Sequence, residues 1–142
     1  MMYLLDTNVC IRFLNQRSSI LTARMTACRR ADVVLCDVVK AELYYGAHHS
    51  AAPVKNLAVL EGFLAGFASF PFNGAAAAVY GKIKSELARC GALIGPNDLL
   101  IAATAIANDL TLVSHNTSEF CRIQGPAIED WEEAPTKPEH DG

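Results

Sequence analysis

Leu4-Leu5-Asp6-Thr7-Asn8 is the stretch on which the reading of the chain turns. The apolar run at residues 1–5 reads as a buried strand, and it ends in a carboxylate. Two small polar residues follow, and apolar residues at helical spacing resume at Val9, Cys10, Phe13 and Leu14. Open α/β sheets place their ligand chemistry at the carboxyl ends of parallel strands. Asp, Thr and Asn are also good helix N-caps. Asp6 by itself is therefore open to two readings, a cap or a ligand, and the rest of the chain must decide between them.

Outward from that stretch, short apolar runs alternate with helical patterns. Residues 33–36, 69–72 and 110–114 read as further strands, with residues 127–131 as a fifth, edge strand. Helices are expected over residues 9–17, 19–30, 38–49, 54–67, 74–90, 96–108 and 118–123. Asp37 and Asn73 are placed as caps, and Pro96 suits the first position of its helix. The alternation predicts an α/β fold, a three-layer α/β/α sandwich around a central parallel sheet of four to five strands. One domain is expected over residues 1–133, with a flexible C-terminal tail at 134–142 where prolines and polar residues gather.

Composition narrows the class. The 142 residues fit one domain, and 51% of them are hydrophobic against 19% charged, an apolar balance that suits a covered interface. No apolar run reaches the ~18 residues of a membrane span, and Met1-Met2-Tyr3 lacks the basic start of a signal peptide. Cys10, Cys28, Cys36, Cys90 and Cys121 are scattered without a paired spacing, so they read as reduced core thiols of a cytoplasmic protein. The net charge of −3 excludes nucleic-acid binding by bulk attraction. Contact with RNA then requires local arginines or a metal.

Polar and acidic residues collect on one edge of the expected sheet. Asp6 ends the first strand. Glu42 interrupts the apolar face of the helix after the second strand, among Val38, Val39, Tyr45 and Gly46. Asp98 stands in the first turn of the Pro96 helix, where the dipole favours an anion. Asn116 follows the fourth strand, with Glu119 three residues on. No lysine or arginine adjoins Asp6 or Asp98 in the sequence. Converging carboxylates repel one another and shift upward in pKa, and a hard divalent cation, Mg²⁺ or Mn²⁺, relieves the repulsion.

Four stretches carry a resemblance to a known family. They are Leu5-Asp6-Thr7-Asn8, Glu42-Leu43-Tyr44-Tyr45-Gly46-Ala47, Gly95-Pro96-Asn97-Asp98-Leu99-Leu100-Ile101-Ala102-Ala103 and Leu112-Val113-Ser114-His115-Asn116-Thr117-Ser118-Glu119-Phe120. In this order and spacing they resemble the PIN-domain ribonucleases and, more narrowly, the VapC toxins of type II toxin–antitoxin pairs, over residues 2–131. By position, Asp6, Glu42 and Asp98 match the family's three acids, while Asn116 stands where many members carry a fourth, with Glu119 nearby. The resemblance implies a Mg²⁺-dependent endoribonuclease whose metal is held by Asp6 and Asp98, with Glu42 orienting water and Asn116 or Glu119 holding a further one. Thr7 and Asn8 are supporting residues, Thr7 as a donor to Asp6 or to phosphate. It further implies an RNA substrate such as tRNA and a cognate antitoxin that places an arginine in the acidic pocket; the apolar surplus of the helices over residues 9–28 and 54–67 suits both antitoxin binding and a homodimer. One or two metals are compatible with this set.

Other readings are weaker. His48, His49 and His115 as metal-free acid–base groups are disfavoured because adjacent helical residues point apart. Asn8 stands where a haloacid-dehalogenase-type phosphatase needs a second aspartate, and there is no P-loop. A PIN-like binding module without activity is the alternative function, against which the intact Asp6, Glu42 and Asp98 speak. Tyr44 and Tyr45 are candidates for stacking on bases, set against core packing. Arg12, Arg17, Arg24, Arg29, Arg30, Lys82, Lys84 and Arg89 are candidates for phosphate contact.

Overall fold

The strands are short and almost wholly apolar, so they bury on both faces, as parallel strands do. In the computed structural model, which describes residues 1–133, the elements run β1 (Tyr3–Leu5), α1 (Thr7–Leu14), α2 (Ser19–Ala27), β2 (Val33–Cys36), α3 (Asp37–His48), α4 (Pro53–Leu64), β3 (Ser69–Phe70), α5 (Gly74–Arg89), α6 (Pro96–Ala107), β4 (Thr111–Val113), α7 (Thr117–Phe120) and β5 (Ile128–Glu129). The expected tail at 134–142 lies outside the described residues. The five strands form one parallel sheet in the order β3-β2-β1-β4-β5. Right-handed crossovers leading outward from β1 to β3, and then back past it to β4 and β5, put helices on both faces. This is the expected α/β/α sandwich, with the edge strand present.

The order of strands fixes where a site can form. Both neighbours of β1 pair with it in register, Tyr3 with Val33 on one side and with Thr111 on the other, and Leu5 with Val113. The chain leaves β1 toward β2 but returns to β4 on its opposite side, so the crevice outside the ends of β1 and β4 is the topological switch point. Beneath it, Leu4, Leu5, Val34, Leu35, Leu112 and Val113 are nearly inaccessible and pack with Leu99, Ile101 and Phe120 into the core.

Several boundaries differ from expectation for local reasons. β1 begins at Tyr3, where pairing to both neighbours starts, and Met1 is exposed. α1 begins two residues earlier than the apolar pattern, because Asp6 itself caps it, and it ends at Leu14, before Gln16 turns to φ 51°. α2 stops at Ala27: Cys28 is extended, and a 3-10 turn at Arg30–Asp32 leads into β2. Asp37 is the first helical residue rather than a side-chain cap; its Oδ1 accepts from Ser69 Oγ at 2.6 Å and ties α3 to β3. β3 stops at Phe70, since Pro71 has no N–H to offer a ladder. Asn73 caps α5 as expected, accepting from Ala76 N. All five cysteines are free, but only Cys10 and Cys36 are core thiols; Cys90 and Cys121 are exposed. Among the described residues no helix is long and apolar enough to cross a membrane.

Trp131 falls just past the end of β5, which is shorter than the expected 127–131, and packs back on the central strand. It is 3% exposed and meets the Tyr3 ring edge-on at 5.1 Å. Next to it, the buried Glu132 pairs with Arg12 of α1, while its Oε2 has no partner.

Leu112 lies at the middle of the sheet with no exposed surface. Leu112→Ala is expected to cost about 2–5 kcal/mol through lost burial and the cavity left behind. It should lower the urea midpoint while leaving the slope of the transition unchanged.

Candidate active site

Asp6 sits where β1 gives way to α1, and it is only 4% exposed. Its Oδ1 accepts from Val9 N at 2.9 Å and its Oδ2 from Ser114 Oγ at 2.5 Å. The residue is therefore the N-cap of α1, as one of the two readings held. Capping takes one lone pair of one oxygen, and a carboxylate offers about four such sites, so the cap does not compete with a ligand role. Burial is the main influence on its pKa and raises it, the Ser114 and Val9 hydrogen bonds oppose that, and Glu42 and Glu132 add to the rise.

Glu42 is half-buried on α3, one turn and a half into the helix that β2 feeds. Two neutral donors hold it. Thr7 Oγ1 donates to Oε1 at 2.6 Å, and Asn97 Nδ2 donates to Oε2 at 3.3 Å. Thr7 thus serves Glu42 and not Asp6: as the first residue of α1 it faces across to α3, while Asp6 is already occupied by Val9 and Ser114. Asn8 is exposed in the first turn of α1.

Asp98 stands in the first turn of α6, and the carboxyl of Glu119 lies within hydrogen-bonding reach of it. Burial first, then the Glu119 contact, then the charges of Glu119, Asp6 and Glu42 push Asp98 up to about 7. Asn116 and Glu119 are both present at this edge with different parts. The Asn116 side-chain amide donates to Glu119 Oε2 at 2.9 Å, and its backbone N–H donates to Ser114 Oγ at 2.9 Å. Asn116 therefore orients Glu119, and it is Glu119 that faces Asp98.

Asp6, Glu42, Asp98 and Glu119 come from α1's cap, α3, α6 and α7; Asp6 feels the charge of Glu42, and Asp98 feels those of Glu119, Asp6 and Glu42. Neutral side chains surround them. Among the described residues the ion pairs are Arg12 with Glu132 and His115 with Asp130, and neither involves these acids. Histidines take no part: His48 and His49 are exposed at the end of α3, and His115 Nδ1 is 2.9 Å from Asp130. Of the candidate phosphate contacts, Arg12 is engaged by Glu132, and Arg30 lies over the Phe67 ring at 5.0 Å.

Ser114 and Asn97 are the functional residues that the sequence reading passed over. The signal for Ser114 was its place at the end of β4, because a strand beside β1 must end beside Asp6. Asn97 offered no signal beyond standing next to Asp98.

The donor chemistry fits a hard divalent cation: carboxylate oxygens backed by hydroxyl and amide groups, without thiolate or imidazole. Among the described residues no three His, Cys, Asp or Glu side chains are drawn together closely enough to enclose an ion.

Comparison with known proteins gives the family of the chain and the likeness of its fold. A PIN domain family model matches residues 3–126. The chain is 38% identical over 129 residues to the tRNA(fMet)-specific endonuclease VapC of Shigella flexneri, covering 91% of this chain and 97% of that relative. Identity to Ribonuclease VapC2 of Haemophilus influenzae is 39%, with coverage of 91% and 97%. A chain of the crystal structure of VapBC2 from Rickettsia felis bound to a DNA fragment from their promoter superposes with a TM-score of 0.87 at 34% identity, over 92% of this chain and 99% of that one. A chain of DNA-bound VapBC from Salmonella typhimurium gives a TM-score of 0.87 at 37% identity, over 92% and 98%.

Because Asp98 is raised from 3.8 to about 7 in the fold, its ionisation opposes folding when no cation is present. The cost is absent below about pH 4 and complete above about pH 7. Asp98→Asn should therefore raise the melting temperature of the metal-free protein at pH 8, and the gain should vanish at pH 4. Ser114→Ala, which leaves buried Asp6 Oδ2 without its donor, should cost about 1–3 kcal/mol in chemical denaturation at pH 8.

Proposed function

The chain belongs to the PIN-domain family, and from that premise we propose that it is a divalent-metal-dependent endoribonuclease, the toxin of a toxin–antitoxin pair. The observation that carries this reading is the set of acids, Asp6, Glu42, Asp98 and Glu119, gathered at the switch point of the sheet with no lysine or arginine of the described chain paired to them. A structural cluster of carboxylates is normally neutralised by cationic side chains; this one is left for a metal and a phosphate.

Asp6 and Asp98 hold the cation, Mg²⁺ or Mn²⁺. When bound, it supplies positive charge against the phosphate and lowers the pKa of a water. Glu42 orients the attacking water. Its two oxygens are fixed by Thr7 and Asn97, so its direction is set before substrate arrives. Glu119, steered by Asn116, holds a further water on the Asp98 side. Water attacks phosphorus and the bond to the 3′ oxygen breaks, giving 5′-phosphate and 3′-hydroxyl ends. The relative that acts on tRNA(fMet) makes a tRNA the substrate to try first.

The inhibiting partner is an antitoxin of the kind seen in VapBC complexes. An arginine from it entering the acidic cluster forms a charge-assisted pair where no internal cation competes. An apolar cleft of about 260 Å³, lined by Ile11, Leu14, Leu43, Val59 and Leu60, opens beside Glu42 and leads such a segment to the acids. Val54 on α4, 85% exposed, lies outside that cleft and suits the contact of a homodimer. The five free cysteines fit a cytoplasmic setting.

With purified protein, Mg²⁺ and tRNA transcripts, EDTA should abolish cleavage and Asp98→Asn should lower kcat/KM by about 100-fold or more, the scale of losing one preorganised electrostatic partner. Ligation-based sequencing should find 5′-phosphates at the new ends. Cleavage that survives EDTA and leaves 2′,3′-cyclic phosphates is the result that sinks this mechanism.

A further inference from the structure

A large aromatic side chain stands in solvent close to the acids. Tyr45, on α3, is 68% exposed, whereas its neighbour Tyr44 is half-buried and packs on the core. Tyr45 is not loose: its ring stacks on His49, one turn further along the helix, with centroids 5.4 Å apart and planes within 11°. Glu42 lies one turn before Tyr45. At 1.5 Å per residue the two rings sit about 4.5 and 10.5 Å along the helix axis from the glutamate. Gly46, which follows Tyr45, has nothing within 4 Å of where a Cβ would be and lines the adjoining apolar cleft.

We propose that the Tyr45–His49 pair is a stacking platform that seats an unpaired base of the RNA substrate next to the acidic centre. This rests on the ribonuclease reading above. Three observations favour a base as the occupant. The rings are paired and parallel before any ligand arrives, so little freedom is lost when a flat partner joins them. They lie outside the aliphatic cleft of Ile11, Leu14, Val59 and Leu60, which is the surface an apolar protein helix needs; the ring pair has exposed Ala41 and His48 as its helical neighbours. The chain carries a net charge of −3, so bulk attraction of phosphate contributes little away from the proposed cation, and contacts that do not depend on charge gain weight. Stacking is such a contact, and every base has a face to offer.

The test is steady-state kinetics of the full chain with Mg²⁺ on a tRNA transcript that the wild type cleaves, alongside thermal melts. Tyr45→Ala should raise KM by about 5- to 150-fold, the ratio implied by loss of one base stack. Its kcat should stay within about twofold, since the bound geometry at phosphorus depends on other groups. The melting temperature should not move, because the ring is exposed. Tyr45→Phe should keep the wild-type KM, because the ring and not the hydroxyl does the stacking, and His49→Ala should raise KM by less than Tyr45→Ala. Tyr45→Ala with a wild-type KM overturns the platform while leaving the ribonuclease reading intact. The same variant with a wild-type KM but weakened inhibition by the antitoxin assigns the rings to a protein partner and also overturns it. A wild-type protein that cleaves no RNA removes the ribonuclease reading, and the platform with it.

Discussion

Asp6 is a carboxylate with 4% of its surface exposed at the end of the central strand, and a charge in that position costs several kcal/mol unless its oxygens are satisfied. The fold satisfies them from two directions. Val9 N closes the first turn of α1 on one oxygen, and Ser114 Oγ, just past the end of the neighbouring β4, reaches the other. The backbone N–H of Asp6 donates to Val113 O at 3.1 Å as well. One residue thus joins the start of a helix to the ends of two strands. The arrangement holds only in the observed register, Leu5 opposite Val113, because a slip of one residue turns every side chain to the other face.

Two of the remaining acids follow the same rule. They have neutral donors as companions, Thr7 and Asn97 for Glu42 and Asn116 for Glu119, while Asp98 faces the carboxyl of Glu119. Hydroxyls and amides fix direction without cancelling charge. An arginine in any of those places would satisfy the oxygens better and leave the cluster inert toward cations. The negative field is therefore retained, and Asp98 registers it most, pushed up to about 7 by burial and by its acidic neighbours. A field of one sign in a low-dielectric crevice draws in counter-ions. The proposed cation and the proposed inhibitory guanidinium would answer to the same field and so exclude each other.

How much of this could be read from the sequence depended on distance along the chain. β2 and β4 were legible because a run of four or five apolar residues between polar ones has few other uses. Asp6, Glu42 and Asp98 were legible because each interrupts an apolar pattern, and no lysine or arginine adjoins Asp6 or Asp98. The ends of α2 and α4 were not, since periodicity does not show where Cys28 turns extended or where the helix stops short of Gly66. The donors to the acids were the least visible. Ser114 acts on a residue 108 positions away and Asn97 on one 55 away, and serine or asparagine after a strand is an ordinary loop composition. Thr7 was noticed but assigned to the wrong acid, because sequence adjacency to Asp6 outweighed a contact that only the packing of α1 on α3 creates.

The link between Asp6 and Ser114 also sets when the centre comes into being. As the chain grows from its first residue, Thr7 and Glu42 can meet early, across 35 positions. Asp6 must wait for β4, and Asp98 for Glu119 on α7. Until then β1 has one open edge in what will be the middle of the sheet, and the acids have no common crevice. At about 5–20 residues per second of synthesis, making the chain from the first acid to the last takes about 6–23 s. Nuclease activity is in this sense a property of the finished chain, and a fragment released by an interrupted ribosome carries the residues without the enzyme.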